Sequence, residues 1–173
     1  YLADPDGNGL EFYRDRPTSQ WQRDEAGRLV MGTEEVDLDA LLKLVKPDQR
    51  WAGLPKGSQV GHVHLHVADL AESIAFYRDV IGFDLVQRYG DQAAFLSAGG
   101  YHHHIGINTW AGKGAPPPPS GSAGMQWVEL LTPDESVQAL SQRLERAGCA
   151  WEPIAGGAAF KDPSQNTLKA VTL

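Results

Sequence analysis

The chain has 173 residues, of which 42% are hydrophobic and 21% are charged, and its formal net charge is −7. This is an ordinary globular composition with no apolar run near the roughly 20 residues of a membrane span, and the negative charge argues against a nucleic-acid-binding surface, which would be basic. The one cysteine, Cys149, excludes an intrachain disulfide, so a reducing, cytoplasmic setting is expected.

Residues 1–13 are predicted to form a strand, a turn and a second short strand, because turn-forming residues fill positions 4–9. The chain opens inside a strand and lacks an initiator Met. We therefore expect that upstream sequence is missing and that residues 1–13 are the C-terminal end of an upstream βαβββ module. Residues 14–60 are predicted to be a linker, with a candidate strand at 28–31 and a capped short helix at 37–42.

A compact module is predicted to start near Gly61. Residues 62–67 alternate strictly between histidine and apolar residues, which predicts a strand with three histidines on one face. Asp69 is expected to cap a helix that ends at Gly82. Three further strands are predicted, at residues 84–89, 93–98 and 102–108. Together these elements form a βαβββ unit over residues 61–112.

The pattern starts again after residues 113–124, which are predicted to be a proline-rich loop and are a candidate flap. A second, weaker βαβββ-like unit is predicted over residues 124–173. Its elements are a strand at 125–131, a helix at 134–147, and strands at 158–161 and 167–173. The turn at 162–166 resembles the turn at 4–8, which supports an internal repeat. Residues 61–173 are therefore interpreted as one domain of two units.

All six histidines fall into two groups, which random scattering would rarely produce; they are His62, His64 and His66, and His102, His103 and His104. Each group is predicted to lie in a strand, where residues two apart point the same way. Neutral imidazoles suit iron, manganese or zinc, and a carboxylate completes a site of two histidines and one acid. Glu11 is the candidate carboxylate, since a charge between Leu10 and Phe12 needs a partner.

Other interpretations of these residues stay open. A histidine on a strand is more often a polar or half-buried residue than a ligand, and His64 and His66 are expected to be structural or to line a pocket. His62 and His64 could also bind a metal as a pair from one strand. Glu11 could be a solvated residue of an edge strand. Whether His102 or His104 takes part is left undecided.

The sequence resembles the glyoxalase/bleomycin-resistance/dioxygenase, or vicinal-oxygen-chelate, superfamily. Residues 61–70 with 75–83 look like the opening βα unit of that superfamily, and residues 4–11 look like its closing strand. The resemblance implies an α+β fold in which paired βαβββ modules form a curved, cup-shaped mixed sheet with helices outside. It also implies that His62, seven residues before Asp69, and Glu11 are metal ligands.

Within this superfamily, the chain resembles the CatE-type group of bacterial catechol-2,3-dioxygenases. The segments that carry this resemblance are residues 94–110, the proline-rich loop and residues 15–21. This resemblance implies that His103 is an acid/base histidine and that Tyr1, ten residues before Glu11, hydrogen-bonds a substrate oxygen. The last unit departs from the pattern. Lys169 stands at the position of the ligand glutamate and Trp127 at that of the ligand histidine, so this unit is expected to be non-catalytic. The third ligand, a histidine, is expected upstream of Tyr1.

The implied function is extradiol ring cleavage of a catechol-like diol with O₂, with Fe(II) as the expected cofactor and Mn(II) as the second choice. The expected partners are the aromatic diol, O₂ and the missing upstream module, and a homo-oligomer is left open. One alternative is a glyoxalase-type lyase or isomerase with Ni or Zn, against which Lys169 counts. Another is a metal-free protein that sequesters a drug-like ligand, as in bleomycin resistance. A third is that this chain by itself is inactive.

Overall fold

The structure, a computed structural model, describes residues 1–172, without the side chain of Glu135. The chain divides into two compact units, Tyr1–Glu34 and Glu35–Leu173, which we describe separately. Within the described range, no helix is both long enough and apolar enough to cross a membrane.

The first unit is built on a short hairpin. Strands β1 (Leu2–Ala3) and β2 (Gly9–Leu10) pair antiparallel, as the sequence predicts. The side chain of Asp4 holds the turn between them, because its Oδ1 accepts the backbone N–H groups of Asp6 at 3.0 Å and Asn8 at 2.7 Å. The candidate strand at residues 28–31 is wrong, since only an isolated bridge between Arg23 and Leu29 forms there. A 3₁₀ turn covers Thr18–Gln20.

The second unit opens with helix α1 (Leu38–Lys43), which begins where predicted because Asp37 accepts the N–H of Ala40 at 2.9 Å. No residue of α1 is buried. The first complete module follows it as β3, helix α2 with a π-helical extension, β4, β5 and β6. Their bounds are Val63–His66, Leu70–Ala75 with Phe76–Ile81, Asp84–Tyr89, Ala93–Ser97 and Ile105–Asn108. The strand order is β3-β6-β5-β4, with β3 and β6 parallel.

In this module the two predicted helix boundaries are confirmed, and the predicted start of the last strand is wrong. Asp69 caps α2, and Gly82 ends the π-helical extension with a left-handed φ of 93°. Residues 102–104, however, precede β6 rather than belong to it. Gly99 and Gly100 both have positive φ and turn the chain, so the ladder with β5 starts only at Ile105. The three histidines of this segment therefore lie outside β6, although the backbone of His104 already bonds to Leu96 and Val63.

The second module consists of β7, α3, β8, β9 and β10, with the strand order β7-β10-β9-β8. Their bounds are Val128–Thr132, Asp134–Arg146, Trp151–Ile154, Gly157–Lys161 and Thr167–Thr172. Strand β8, which contains Pro153, is not among the strands predicted from the sequence. A proline is tolerated there because β8 is the edge of the sheet. The last residue of the strand predicted at 167–173, Leu173, lies outside the described residues.

Polar contacts join the two modules around a common hydrophobic core. The hydroxyl of Tyr77 donates to Asp162 Oδ2 at 3.0 Å, and both residues are almost fully buried. Arg143 of α3 donates to the carbonyl oxygens of Val80 and Ile81 at 2.6 and 2.9 Å, which would otherwise be unsatisfied at a helix end. The predicted α+β class with paired βαβββ modules is confirmed, and each module forms its own mixed four-stranded sheet.

Candidate metal and acid/base site

A cluster of histidine side chains lies beside the start of β3. The ring of His103 lies 4.2 Å from that of His62 and 5.4 Å from that of His64, measured between centroids. His102 completes the cluster, since each of His62, His102 and His103 offers a ring nitrogen within 4.8 Å of the others. The parallel pairing of β3 with β6 brings these two parts of the chain together, because His64 is in register with Gly106.

His103 is the most buried member of the cluster, with 9% of its surface exposed. Burial, followed by repulsion from the neighbouring histidines, lowers the pKa of its imidazole from 6.5 to about 3. His103 is therefore neutral at neutral pH. A neutral imidazole has one N–H to donate and one nitrogen that accepts.

Both nitrogens of His103 face another imidazole. Its Nδ1 lies 2.9 Å from His102 Nδ1, and its Nε2 lies 3.3 Å from His64 Nε2. In either tautomer His103 can donate to one neighbour and accept from the other, so the three rings form a continuous hydrogen-bonded chain. Such a chain can take up a proton at one end and release it at the other.

The ring of His64 lies directly over Gly106 on the neighbouring strand. A Cβ added to Gly106 would come within 3.1 Å of two atoms of that ring, closer than carbon atoms normally pack. A glycine is thus needed for His64 to reach His103. The sequence predicts a structural or pocket-lining role for His64, whereas the structure places its ring against that of His103.

The first unit brings together the two residues predicted for it. Continuing the pairing of Leu2 with Leu10 by one residue sets Tyr1 opposite Glu11. Desolvation, together with the charge of the hydrogen-bonded Glu11 carboxylate, raises the pKa of the Tyr1 phenol above its usual 10.0. Tyr1 is therefore a protonated hydrogen-bond donor at physiological pH.

The hairpin of the first unit matches the last hairpin of the second in register and in turn chemistry. Phe160 pairs with Leu168 and Ala159 with Lys169, as Leu2 pairs with Leu10. Asp162 accepts the N–H groups of Ser164 and Asn166 at 2.9 and 2.8 Å, which repeats the bonds of the Asp4 turn.

This match places Glu11 and Lys169 at equivalent positions. Gly106 is the third equivalent residue, since Gly106 pairs with His64 in the first module as Lys169 pairs with Glu129 in the second. The ammonium of Lys169 lies 3.6 Å from the ring centroid of Trp127. A cation and an indole in contact thus stand at the positions equivalent to Glu11 and His62, and the non-catalytic character of the last module stays a prediction.

Not every histidine joins the cluster. His104 accepts the N–H of Ala98 through its Nδ1 at 3.2 Å and lies against Phe83 and Tyr101, so it supports the local turn. His66 is exposed at the end of β3. His102 was left undecided from the sequence, and its place in the cluster depends on the turn at Gly99 and Gly100, which the strand prediction overlooked.

Comparison with known proteins agrees with this architecture. Over 165 residues the chain is 48% identical to the catechol-2,3-dioxygenase of Bacillus subtilis (strain 168). The match covers 94% of this chain and 58% of the relative, so the chain spans less than two thirds of that protein's length.

Two solved structures share the fold. A glyoxylase/bleomycin resistance protein/dioxygenase domain from Frankia sp. EAN1pec matches with a TM-score of 0.53 and 25% identity, over 66% of this chain and 97% of that one. A lactoylglutathione lyase from Agrobacterium tumefaciens matches with a TM-score of 0.51 and 19% identity, over 68% and 96% of the two chains. The sequence model of the Glyoxalase/Bleomycin resistance protein/Dioxygenase superfamily matches residues 59–169. The chain belongs to this superfamily.

Proposed function

We propose that the complete protein containing this chain is an extradiol-type dioxygenase that cleaves a catechol-like ring with O₂. The observation that carries the proposal is the contact between His62 and His103, whose ring centroids lie 4.2 Å apart. It sets the imidazole that we propose as a metal ligand beside a buried, neutral imidazole that can move a proton. The 48% identity to a catechol-2,3-dioxygenase supports this choice of reaction.

We propose further that Glu11 and His62 bind one Fe(II), with a third ligand from upstream of Tyr1. One carboxylate and two imidazoles form a donor set that leaves coordination positions open for substrates. The match of residues 1–13 with the last hairpin supports the view that they end an upstream βαβββ module, to which residues 14–60 would be the linker. When bound, the metal would supply the activation of O₂ and of the diol. Mn(II) suits the same ligands, and the cytoplasmic setting stays a prediction.

His103 is the proposed proton carrier. Its imidazole would accept a proton from the diol at Nε2, the nitrogen that lies 3.3 Å from His64 Nε2 in this structure. Because burial lowers the pKa of His103 to about 3, the protonated ring would release the proton readily, so His103 would hold it only briefly.

Tyr1 is the proposed substrate-positioning residue. Its raised pKa keeps the phenol protonated, so that it can donate a hydrogen bond to an oxygen of the diol. In this structure the Tyr1 phenol hydrogen-bonds to Glu11. If that carboxylate held a metal, the phenol could donate its one proton to an oxygen of the diol instead.

The test is an aerobic ring-cleavage assay with catechol on Fe(II)-loaded protein that includes the upstream segment. His62→Ala and Glu11→Gln should each abolish bound iron and ring cleavage and leave the circular dichroism spectrum unchanged. His66→Ala, at an exposed position on the same strand, is the matched control and should retain both. If His62→Ala retains iron and activity, the ligand assignment is wrong. If the unmodified protein binds iron but leaves catechols intact, the proposed reaction is wrong.

A further inference from the structure

We propose that His62, His102 and His103 form a second metal site, made of three imidazoles and confined to the second unit. The site would take a divalent late transition metal such as Zn(II) or Co(II). It shares His62 with the proposed iron site, so the two sites cannot be filled together. Its inhibitory role rests on the proposed function, whereas its ability to bind metal does not.

The geometry of the three rings is close to that of a metal site. Their candidate ligand nitrogens lie within 4.8 Å of one another, and the Nδ1 atoms of His102 and His103 are 2.9 Å apart. Metal–nitrogen bonds of about 2.0–2.1 Å in a tetrahedral site require nitrogens roughly 3.3 Å apart. Small side-chain rotations therefore suffice to bring all three nitrogens onto one ion.

The chain around the cluster permits such rotations. His102 and His103 lie in the segment before β6, which makes no strand ladder up to Ile105. His62 lies just before β3. None of the three residues is itself part of a strand ladder, although the backbone of His104 already bonds to Leu96 and Val63. Rotations about their side-chain bonds therefore leave the hydrogen bonds of the sheet in place.

The ligand set selects the class of metal. Three neutral imidazoles with no carboxylate favour Zn(II), Co(II), Ni(II) or Cu(II) over Mg(II), Ca(II) and Mn(II), which prefer oxygen ligands. Three histidines with one open position are an arrangement that zinc adopts in proteins. The proposed iron site contains a carboxylate, so the two sites differ in preference as well as in position.

Filling the three-histidine site would inhibit ring cleavage in two ways. It would withdraw His62 from the iron. Binding at Nδ1 of His103, the nitrogen nearest His102, would also keep the proton of that ring at Nε2, which could then accept none from the diol. Zinc in excess should therefore inhibit the enzyme, and removing His102 should weaken that inhibition, because His102 is a metal ligand in the three-histidine site and not in the proposed iron site.

Metal binding is tested first, by titrating Co(II) into the 173-residue chain and following its visible absorbance. The chain and its Glu11→Gln variant should bind one Co(II) with equal affinity. His102→Ala should bind at least about tenfold more weakly, the loss that removing even an outer hydrogen-bonding partner of a ligand causes. His66→Ala should bind as the unmodified chain does. His102→Asn, which keeps a polar side chain, should repeat the loss if the alanine variant does not fold.

Binding that survives in folded His102→Ala or His102→Asn would overturn the proposal, and so would binding that is lost in Glu11→Gln. The second step measures Zn(II) inhibition of ring cleavage in the complete protein. His102→Ala should need at least about tenfold more Zn(II) for half inhibition, and equal sensitivity would overturn the inhibitory role. If the complete protein cleaves no catechol, the proposed function fails, whereas the Co(II) titration still decides whether the three-histidine site exists.

Discussion

The hydrogen bond between Tyr77 and Asp162 links the two modules and gives a prediction about stability. Tyr77→Phe removes the hydroxyl group that donates to Asp162 Oδ2 at 3.0 Å and keeps the ring in the core. Tyr77 and Asp162 are 0% and 1% exposed, so water cannot replace the lost donor. Asp162 Oδ2 keeps one bond, from Asn166 Nδ2 at 2.8 Å, and does not become wholly unsatisfied.

The expected loss is that of one buried hydrogen bond to a charged group, about 1.5–3 kcal/mol. For a chain of this size each kcal/mol lowers the melting temperature by roughly 2–4 °C. Urea unfolding should show a lower midpoint with an unchanged slope. Tyr89→Phe is the matched control, because Tyr89 is 67% exposed, and it should change stability by less than about 0.5 kcal/mol. Equal effects of the two variants would refute the reasoning.

The same pair predicts a pH dependence. Burial, followed by the charge of Asp162 and the hydrogen bond to it, raises the pKa of Tyr77 well above 10.0 in the folded protein. The group's contribution to stability is therefore fully present below pH 10 and is lost as the pH rises further. The difference in unfolding free energy between the unmodified chain and Tyr77→Phe should narrow above pH 10, and a constant difference would count against the assigned contact.

Three further predictions concern other contacts. Arg143→Ala should cost about 1–3 kcal/mol of unfolding free energy because two helix-end carbonyls lose their donor, whereas the exposed Arg146→Ala should be nearly neutral; equal losses would contradict this. Gly157→Ala should cost at least about 1–3 kcal/mol, since its Cβ would collide with a backbone carbonyl of β10; Gly124→Ala, with open space around it, is the control. Because the pKa of His103 is lowered from 6.5 to about 3, its NMR resonances should not titrate between pH 5 and 8. The unfolded chain binds this proton more readily than the folded chain, so the free energy of unfolding should fall as the pH drops from 6.5 towards 3.

The elements with strong local signals could be predicted from the sequence. The capping residues Asp37 and Asp69 and the left-handed Gly82 mark helix ends by local chemistry, and the alternation of residues 62–67 marks β3. Strand β8 could not be predicted, because Pro153 argues against a strand unless its edge position is known.

The site divides in the same way. His62 and His103 could be predicted as site residues from sequence motifs, because a motif marks the positions of functional residues. The roles of His64 and His102 depend on tertiary geometry, namely a ring lying over Gly106 and a turn that releases residues 102–104 from the strand. The lowered pKa of His103 likewise results from burial and from the neighbouring histidines. Neither can be predicted from the sequence, because both depend on the folded structure.

The central claim is that Glu11 and His62 bind one metal ion in the complete protein. The most direct test is an experimental structure of Fe(II)-loaded protein that includes the upstream segment, with the ion located by its anomalous scattering. The account predicts one ion within about 2.0–2.2 Å of a carboxylate oxygen of Glu11 and of a ring nitrogen of His62. An ion bound by His62 without Glu11, or by neither residue, would contradict it.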